Sequence, residues 1–178
     1  ISKKYAREAI KLILKNLKDA ANNPTKESRE AMSRAADLAG KAINISKTTA
    51  PHAISYPITS YFGVPHGHAV ALTLAEMLVY NSQVVKDDVL DKRGVDYVKS
   101  AIKEIVHLIG AGAPEDASQK IKKLMRDIRL STKLSKVGIK TNEDIGLIVK
   151  NGFNPERIGN NPRKLTKTAL MRILDNIK

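Results

Sequence analysis

The chain of 178 residues has no cysteine and no tryptophan, and its aromatic content is only 4%. Without cysteine neither a disulfide framework nor a thiolate metal site can form, a composition that fits a reducing cytoplasm. Long apolar runs are missing too. None approaches the roughly 18–20 residues that a membrane-spanning helix needs, and Ile1-Ser2-Lys3-Lys4 has neither a methionine nor the apolar core of a signal peptide. That start leads us to expect a piece of a longer or trimmed chain. Acidic residues are scarce, 18 against 31 lysines and arginines, giving a net charge of +13. Such a balance invites nucleic acid, but stacking aromatics and any recognisable binding motif are lacking. The lysines and arginines are instead interleaved with acids along nearly every segment, so the first reading is a lysine-rich solvated surface, and the second is an anionic substrate or cofactor whose capture a positive field assists.

Strand patterns, internal repeats and a glycine-rich phosphate loop after a strand are also absent, which excludes a dinucleotide-binding half within these residues. What remains is helical periodicity, and with 42% hydrophobic residues it suffices for one core. Tyr5, Ala6, Ile10, Ile13, Leu14, Leu17 and Ala21 form one face of a first helix that Asn22-Asn23-Pro24 ends. Thr25 is placed to cap a second, from residue 26 to about 45, whose small side chains (Ala31, Ala35, Ala36, Ala39, Gly40, Ala42) predict a tightly buried central helix. Thr48 or Thr49 caps a third helix opened by Pro51, residues 60–64 with Gly63 reverse the chain, and a nearly charge-free helix runs from Pro65 to Asn81. Residues 81–94 read as a loop. Further helices follow at 95–109, at 114 to about 130 after Pro114, at 141–150 behind the capping-box pair Thr141 and Asp144, and after Thr166. We therefore expect a single all-α domain over residues 1–178, with the helix after Pro65 at its centre.

Three of the four histidines fall between positions 52 and 68. His52 and His66 each follow a proline, which suits the first turn of a helix, where unpaired N–H groups disfavour imidazolium. Neutral imidazole is the metal-binding form. Two readings stand on the residues alone: two histidines capping two packed helices, or two ligands brought together by the reversal between them. His68, two residues after His66, points about 200° away around a helix and cannot join His66 on one ion. His107 lies within a helix with no motif around it and reads as a surface or structural residue.

The run His52, Tyr56, Pro57, Pro65-His66-Gly67-His68-Ala69, followed by an apolar helix ending Tyr80-Asn81, resembles the metal-site region of the iron-containing (group III) alcohol dehydrogenases. That family is similar to glycerol dehydrogenase and dehydroquinate synthase. The resemblance extends to Ala6-Arg7-Glu8-Ala9-Ile10, to Ala39-Gly40-Lys41-Ala42-Ile43 and to Asn161-Pro162-Arg163. It implies the C-terminal helical domain of a metal-dependent, NAD(P)-linked alcohol dehydrogenase or aldehyde reductase, with the nucleotide-binding domain and the first metal ligands outside this stretch. His52 and His66 become metal ligands, and Fe2+ the metal, although imidazole suits Zn2+ and Ni2+ as well.

Many family members have a histidine where this chain has Tyr56. A phenol with pKa near 10 is a poorer proton shuttle than imidazole, so the resemblance leaves two readings of Tyr56, a catalytic-site residue that hydrogen-bonds substrate or a structural tyrosine. His68 is the candidate for a cofactor contact. The motif is also similar to members identified as phosphonoacetaldehyde reductases, an anionic substrate compatible with the basic charge. The implied partners are thus a small alcohol or aldehyde and further copies of the chain, in the cytoplasm, with no nucleic acid and no membrane. A dehydroquinate synthase-like lyase and a non-enzymatic helical binding module are the competing readings.

Overall fold

The computed structural model describes the backbone of residues 1–178 and every side chain except those of Pro155 and Glu156. Nine α-helices succeed one another among the described residues: α1 Ser2–Asn22, α2 Lys26–Ser46, α3 Ala50–Phe62, α4 His66–Ser82, α5 Val95–Leu108, α6 Pro114–Asp127, α7 Asn142–Asn151, α8 Pro155–Ile158 and α9 Lys167–Asn176. A 3-10 turn, Leu134–Val137, joins α6 to α7. The only extended pairing among the described residues is a single antiparallel bridge between Val89 and Arg163, so the all-α expectation holds. The one-turn helix α8 was not expected. Its four residues are too few to show a period.

Local chemistry sets most of the ends. The Thr25 and Thr141 hydroxyls accept from the amides of Ser28 and Asp144, and those side chains accept in return from the threonine amides, closing two capping boxes. Thr166 accepts from the Ala169 amide at 3.1 Å. Thr49 departs from this pattern: it is the N-cap residue of α3 but makes no capping bond through its side chain, and Pro51 occupies the first turn instead. Between α3 and α4, Gly63 takes φ +67°, a left-handed conformation that favours glycine, and its amide returns to the Thr59 carbonyl.

The packed pair α3 and α4 is the centre of the molecule. α4 packs against α3, α5, α6 and α9, while α3 also meets α7 and α8. The main core gathers Ile54 and Ile58 of α3, Leu72 and Met77 of α4, Ile148 of α7, and Leu170 and Leu174 of α9. A smaller core joins the end of α4 to α5 and α6 through Leu78, Val84, Val98, Ile102 and Ala117.

The expectation of a central α2 is corrected. Ala36 and Gly40 are exposed, and the buried residues of α2 are Ser28, Ala35 and Ala42, a narrow seam repeating every seven positions. A seam of that width covers one neighbour, and α1 is that neighbour. The small side chains let α1 approach, but they do not place α2 in the interior. Gly152 carries a second lesson. Its φ is −81°, so no left-handed cap requires glycine there. A Cβ at this position would instead lie 2.8 Å from the Ile148 carbonyl oxygen and 3.4 Å from Ile54 Cα, and its absence lets the end of α7 close on α3.

Candidate metal centre

α3 and α4 bring His52 and His66 together, with ring centroids 5.6 Å apart. His52 sits in the first turn of α3 and is half-buried, while His66 is the first residue of α4 and is exposed. The chain reversal at Gly63 is what converts a separation of 14 in sequence into this proximity. Burial lowers the His52 pKa from its ordinary value, and the charges of His66 and Arg157 lower it further. Desolvation thus disfavours the imidazolium of His52, in the same direction as the helix start that the sequence suggested.

Ser55, one turn beyond His52 and fully buried, orients the second ring. Its hydroxyl donates to the His52 carbonyl at 2.8 Å, and Oγ lies 3.3 Å from His66 Nδ1. With its one hydrogen committed, Oγ can only accept, so the network assigns the hydrogen of a neutral His66 to Nδ1 and its lone pair to Nε2. This is how a ligand imidazole is usually supported. Ser55 was not singled out from the sequence, although its position three residues after His52 places it on the same helical face.

Tyr56 closes the group. Its ring centroid is 5.9 Å from that of His66, it is 42% exposed, and the guanidinium of Arg157 lies over it at 4.4 Å. His68 turns elsewhere: its Nε2 lies 2.7 Å from the Ser131 carbonyl, which can only accept, so Nε2 carries the hydrogen. His107 is exposed on α5.

The donor set suits a borderline divalent ion, with two imidazoles and one lone pair already directed. Among the described residues no group of three or more histidines, cysteines and carboxylates is assembled, so the two rings by themselves do not make a full coordination shell. The site opens on the surface. A cleft of about 780 Å³ lies elsewhere, between α1 and α5, and none of His52, Tyr56 and His66 lines it.

Replacing Ser55 with alanine should therefore weaken metal binding about 10-fold or more while leaving the helices intact. Titration calorimetry with Zn2+, together with the ring 15N shifts of His66, measures affinity and tautomer. An unchanged affinity with an unchanged Nδ1–H population would show that Ser55 does not orient the ring.

Comparison with known proteins places the fold in a family. The family described as "Fe-containing alcohol dehydrogenase family, C-terminal" matches residues 1–177. The phosphonoacetaldehyde reductase of Streptomyces viridochromogenes is 31% identical over 169 residues, 95% of this chain and 40% of that protein. The NAD-dependent methanol dehydrogenase of Bacillus methanolicus is 27% identical over 173 residues, 97% of this chain and 44% of that protein. Among solved structures, the sulfoacetaldehyde reductase of Bifidobacterium kashiwanohense in complex with NAD+ superposes with a TM-score of 0.79 at 30% identity, covering 99% of this chain and 43% of that one. The chain thus spans less than half the length of these relatives. With a family match over nearly its whole length, an all-helical fold and two histidines brought together across the α3–α4 turn, the chain belongs to the Fe-containing alcohol dehydrogenase family as its C-terminal domain.

Proposed function

We propose that residues 1–178 form the metal-holding helical domain of an NAD(P)-linked enzyme that interconverts an alcohol and an aldehyde. The nucleotide-binding domain and the remaining metal ligands then lie in other parts of the protein. The observation that carries this reading is the pairing of His52 and His66 at 5.6 Å, with the His66 lone pair directed by Ser55. His52 and His66 would hold Fe2+, for which Zn2+ and Ni2+ are chemical alternatives. When bound, the ion supplies Lewis-acid polarisation of the substrate oxygen during hydride exchange with nicotinamide.

The chain's own residues divide the remaining work. The half-buried position of His52 keeps its ring unprotonated and available. The Tyr56 hydroxyl, on the open side of the two rings, hydrogen-bonds the substrate and stands in the place of a more acidic relay group. His68, with Nε2 committed to Ser131, has Nδ1 left for a dinucleotide contact. On the substrate side we favour a two-carbon aldehyde with a tetrahedral anionic head group. The names of two similar proteins, a phosphonoacetaldehyde reductase and a sulfoacetaldehyde reductase, support this choice, and so does the net charge of +13. A cytoplasmic homo-oligomer completes the reading.

The test is chelation of the full-length protein during NADH and NADPH oxidation with phosphonoacetaldehyde, sulfoacetaldehyde and simple alkanals. Chelation should remove at least about 99% of the rate, since metal polarisation contributes several kcal/mol, and one of Fe2+, Zn2+ or Ni2+ should restore it. A rate indifferent to chelator and metal would overturn the assignment of the histidines. Metal retained without any aldehyde turnover would instead favour the lyase chemistry of the wider fold.

A further inference from the structure

We infer that Arg157 is the residue that recognises the anionic head group of the substrate, gripping a phosphonate or sulfonate beside Tyr56. The inference rests on the reading that His52 and His66 mark the place where the aldehyde oxygen is held. Arg157 stands on α8, the one-turn helix that the sequence pattern did not reveal. That turn is seated by Ile158, which is buried in the main core, and by amide bonds from Arg157 and Ile158 to the Asn154 carbonyl. The backbone behind the side chain is therefore anchored to α3, the helix that carries His52 and Tyr56.

Three other arginines of the molecule are tied to carboxylates: Arg7 to Glu104, Arg93 to Asp91 and Arg163 to Asp88. Among the described residues none pairs with Arg157. Its guanidinium carbon lies 4.4 Å from the Tyr56 ring centroid, and among the described residues none of its guanidinium N–H groups donates a hydrogen bond. Its planar edge of N–H donors remains available, and that edge matches a tetrahedral oxyanion bidentately.

Reach agrees with the assignment. The guanidinium is 4.4 Å from the Tyr56 ring and that ring is 5.9 Å from His66, so the cation lies at most about 10 Å from the imidazole centre. A phosphonate or sulfonate on a two-carbon aldehyde puts its outer oxygens roughly 5 Å from the carbonyl oxygen on ordinary bond lengths. With a ligand bond of about 2 Å and a charge-assisted hydrogen bond of about 2.8 Å, such a substrate spans about 10 Å from ion to guanidinium nitrogen when extended, which is long enough to bridge the two along a bent path. A neutral aldehyde of the same length would leave the fork without a partner, which is the condition under which a polar site discriminates strongly.

The experiment compares full-length wild type with Arg157→Gln and Arg157→Lys. It measures kcat/KM for phosphonoacetaldehyde and for propanal in each preparation, together with metal content and thermal unfolding. The ratio of anionic to neutral efficiency should fall about 100-fold in Arg157→Gln, mostly through KM, and about tenfold in Arg157→Lys, which keeps the charge but not the fork. A ratio within twofold of wild type in both variants would overturn the inference and leave Arg157 as a stacking partner of Tyr56. Phosphonoacetate titrated calorimetrically into the same proteins decides the matter independently of turnover. Binding weakened at least tenfold in the variants sustains the role of Arg157 even if wild type reduces no aldehyde, an outcome that would sink the catalytic reading alone. Equal binding to all three proteins would end it.

Discussion

In the full-length protein, His66→Ala should lower aldehyde reduction by about three orders of magnitude, and His52→Ala by a similar factor, whereas His107→Ala should leave the rate unchanged. The scale follows from the several kcal/mol that a Lewis acid contributes to stabilising developing charge, at about 1.4 kcal/mol for each factor of ten. Each variant removes one of two rings whose centroids are 5.6 Å apart, and a shell that has lost one imidazole would hold the ion more weakly and leave it mispositioned. His107 is a fair control because it is an exposed histidine on α5, remote in sequence from the site. Residues 1–178 alone should bind metal weakly and reduce nothing, since two neutral imidazoles leave at least half of a tetrahedral shell to water and no carboxylate offsets the ion's charge. Steady-state kinetics and metal content on the same samples check all of these outcomes. Full activity in His66→Ala, with metal retained, would show that the active site has been misplaced.

Helix ends were legible because they are made by neighbours in sequence. Thr25, Thr141 and Thr166 cap as expected, each through an amide three residues on. The approach of His52 to His66 was legible for a related reason: a proline-led helix start on either side of a glycine reversal confines the geometry. What the pattern left out depends on partners far away in the chain. The small residues of α2 report a close neighbour without saying whether there is one neighbour or several, and only the seven-residue spacing of Ser28, Ala35 and Ala42 distinguishes the two. Gly152 ends α7, where a Cβ would fall 2.8 Å from the Ile148 carbonyl oxygen, and the neighbour it also meets, Ile54, lies 98 positions earlier.

The electrostatic part of the site was the least legible. Arg157 has no motif around it, and its relation to Tyr56 exists only after α8 docks on α3. The lowered pKa of His52 has a leading cause that the segment could not show, because burial is a property of the packed site whereas the helix start is a property of the segment. Tyr56 and His68 could be named from the motif. The partners that define what each can do, Arg157 for one and the Ser131 carbonyl for the other, could not.

Arg163→Ala should lower stability by about 2–3 kcal/mol, roughly 5–10 °C in Tm for a domain of this size, and the loss should shrink by about half in acid. Arg163 fastens the segment before α9 onto the end of α4. Its Nε donates to Asp88 Oδ2 at 2.7 Å and Nη1 to the Tyr80 carbonyl at 2.8 Å, while the guanidinium lies 4.2 Å from the Tyr80 ring centroid. The two charged side chains are only 18% and 23% exposed, so the pair is better shielded than a surface bridge and removing one partner strands the other.

Burial alone would raise the Asp88 pKa, but the Val85 amide and the hydrogen bond and charge of Arg163 outweigh it, so the folded value is depressed. Stability from a depressed carboxyl is fully present above the unfolded pKa, about 3.9, and is lost as pH falls through the lower folded value. The difference in Tm between wild type and Arg163→Ala should accordingly be largest near pH 7 and decline below about pH 4, with the Tyr80 contacts remaining. Taking the difference between two proteins cancels the other carboxylates, which both possess. Calorimetric scans from pH 7 to pH 2.5 test this, and a gap in Tm that does not change with pH would show that the Asp88 pair contributes nothing. The same segment also reaches the site. Asn160 donates to the carbonyls of Ser46 and Thr48, at 3.1 and 2.9 Å, on the stretch that leads into α3 and His52. Loosening Arg163 should thus lower metal affinity as well as Tm, and Asn160→Ala should lower the affinity with a smaller change in Tm.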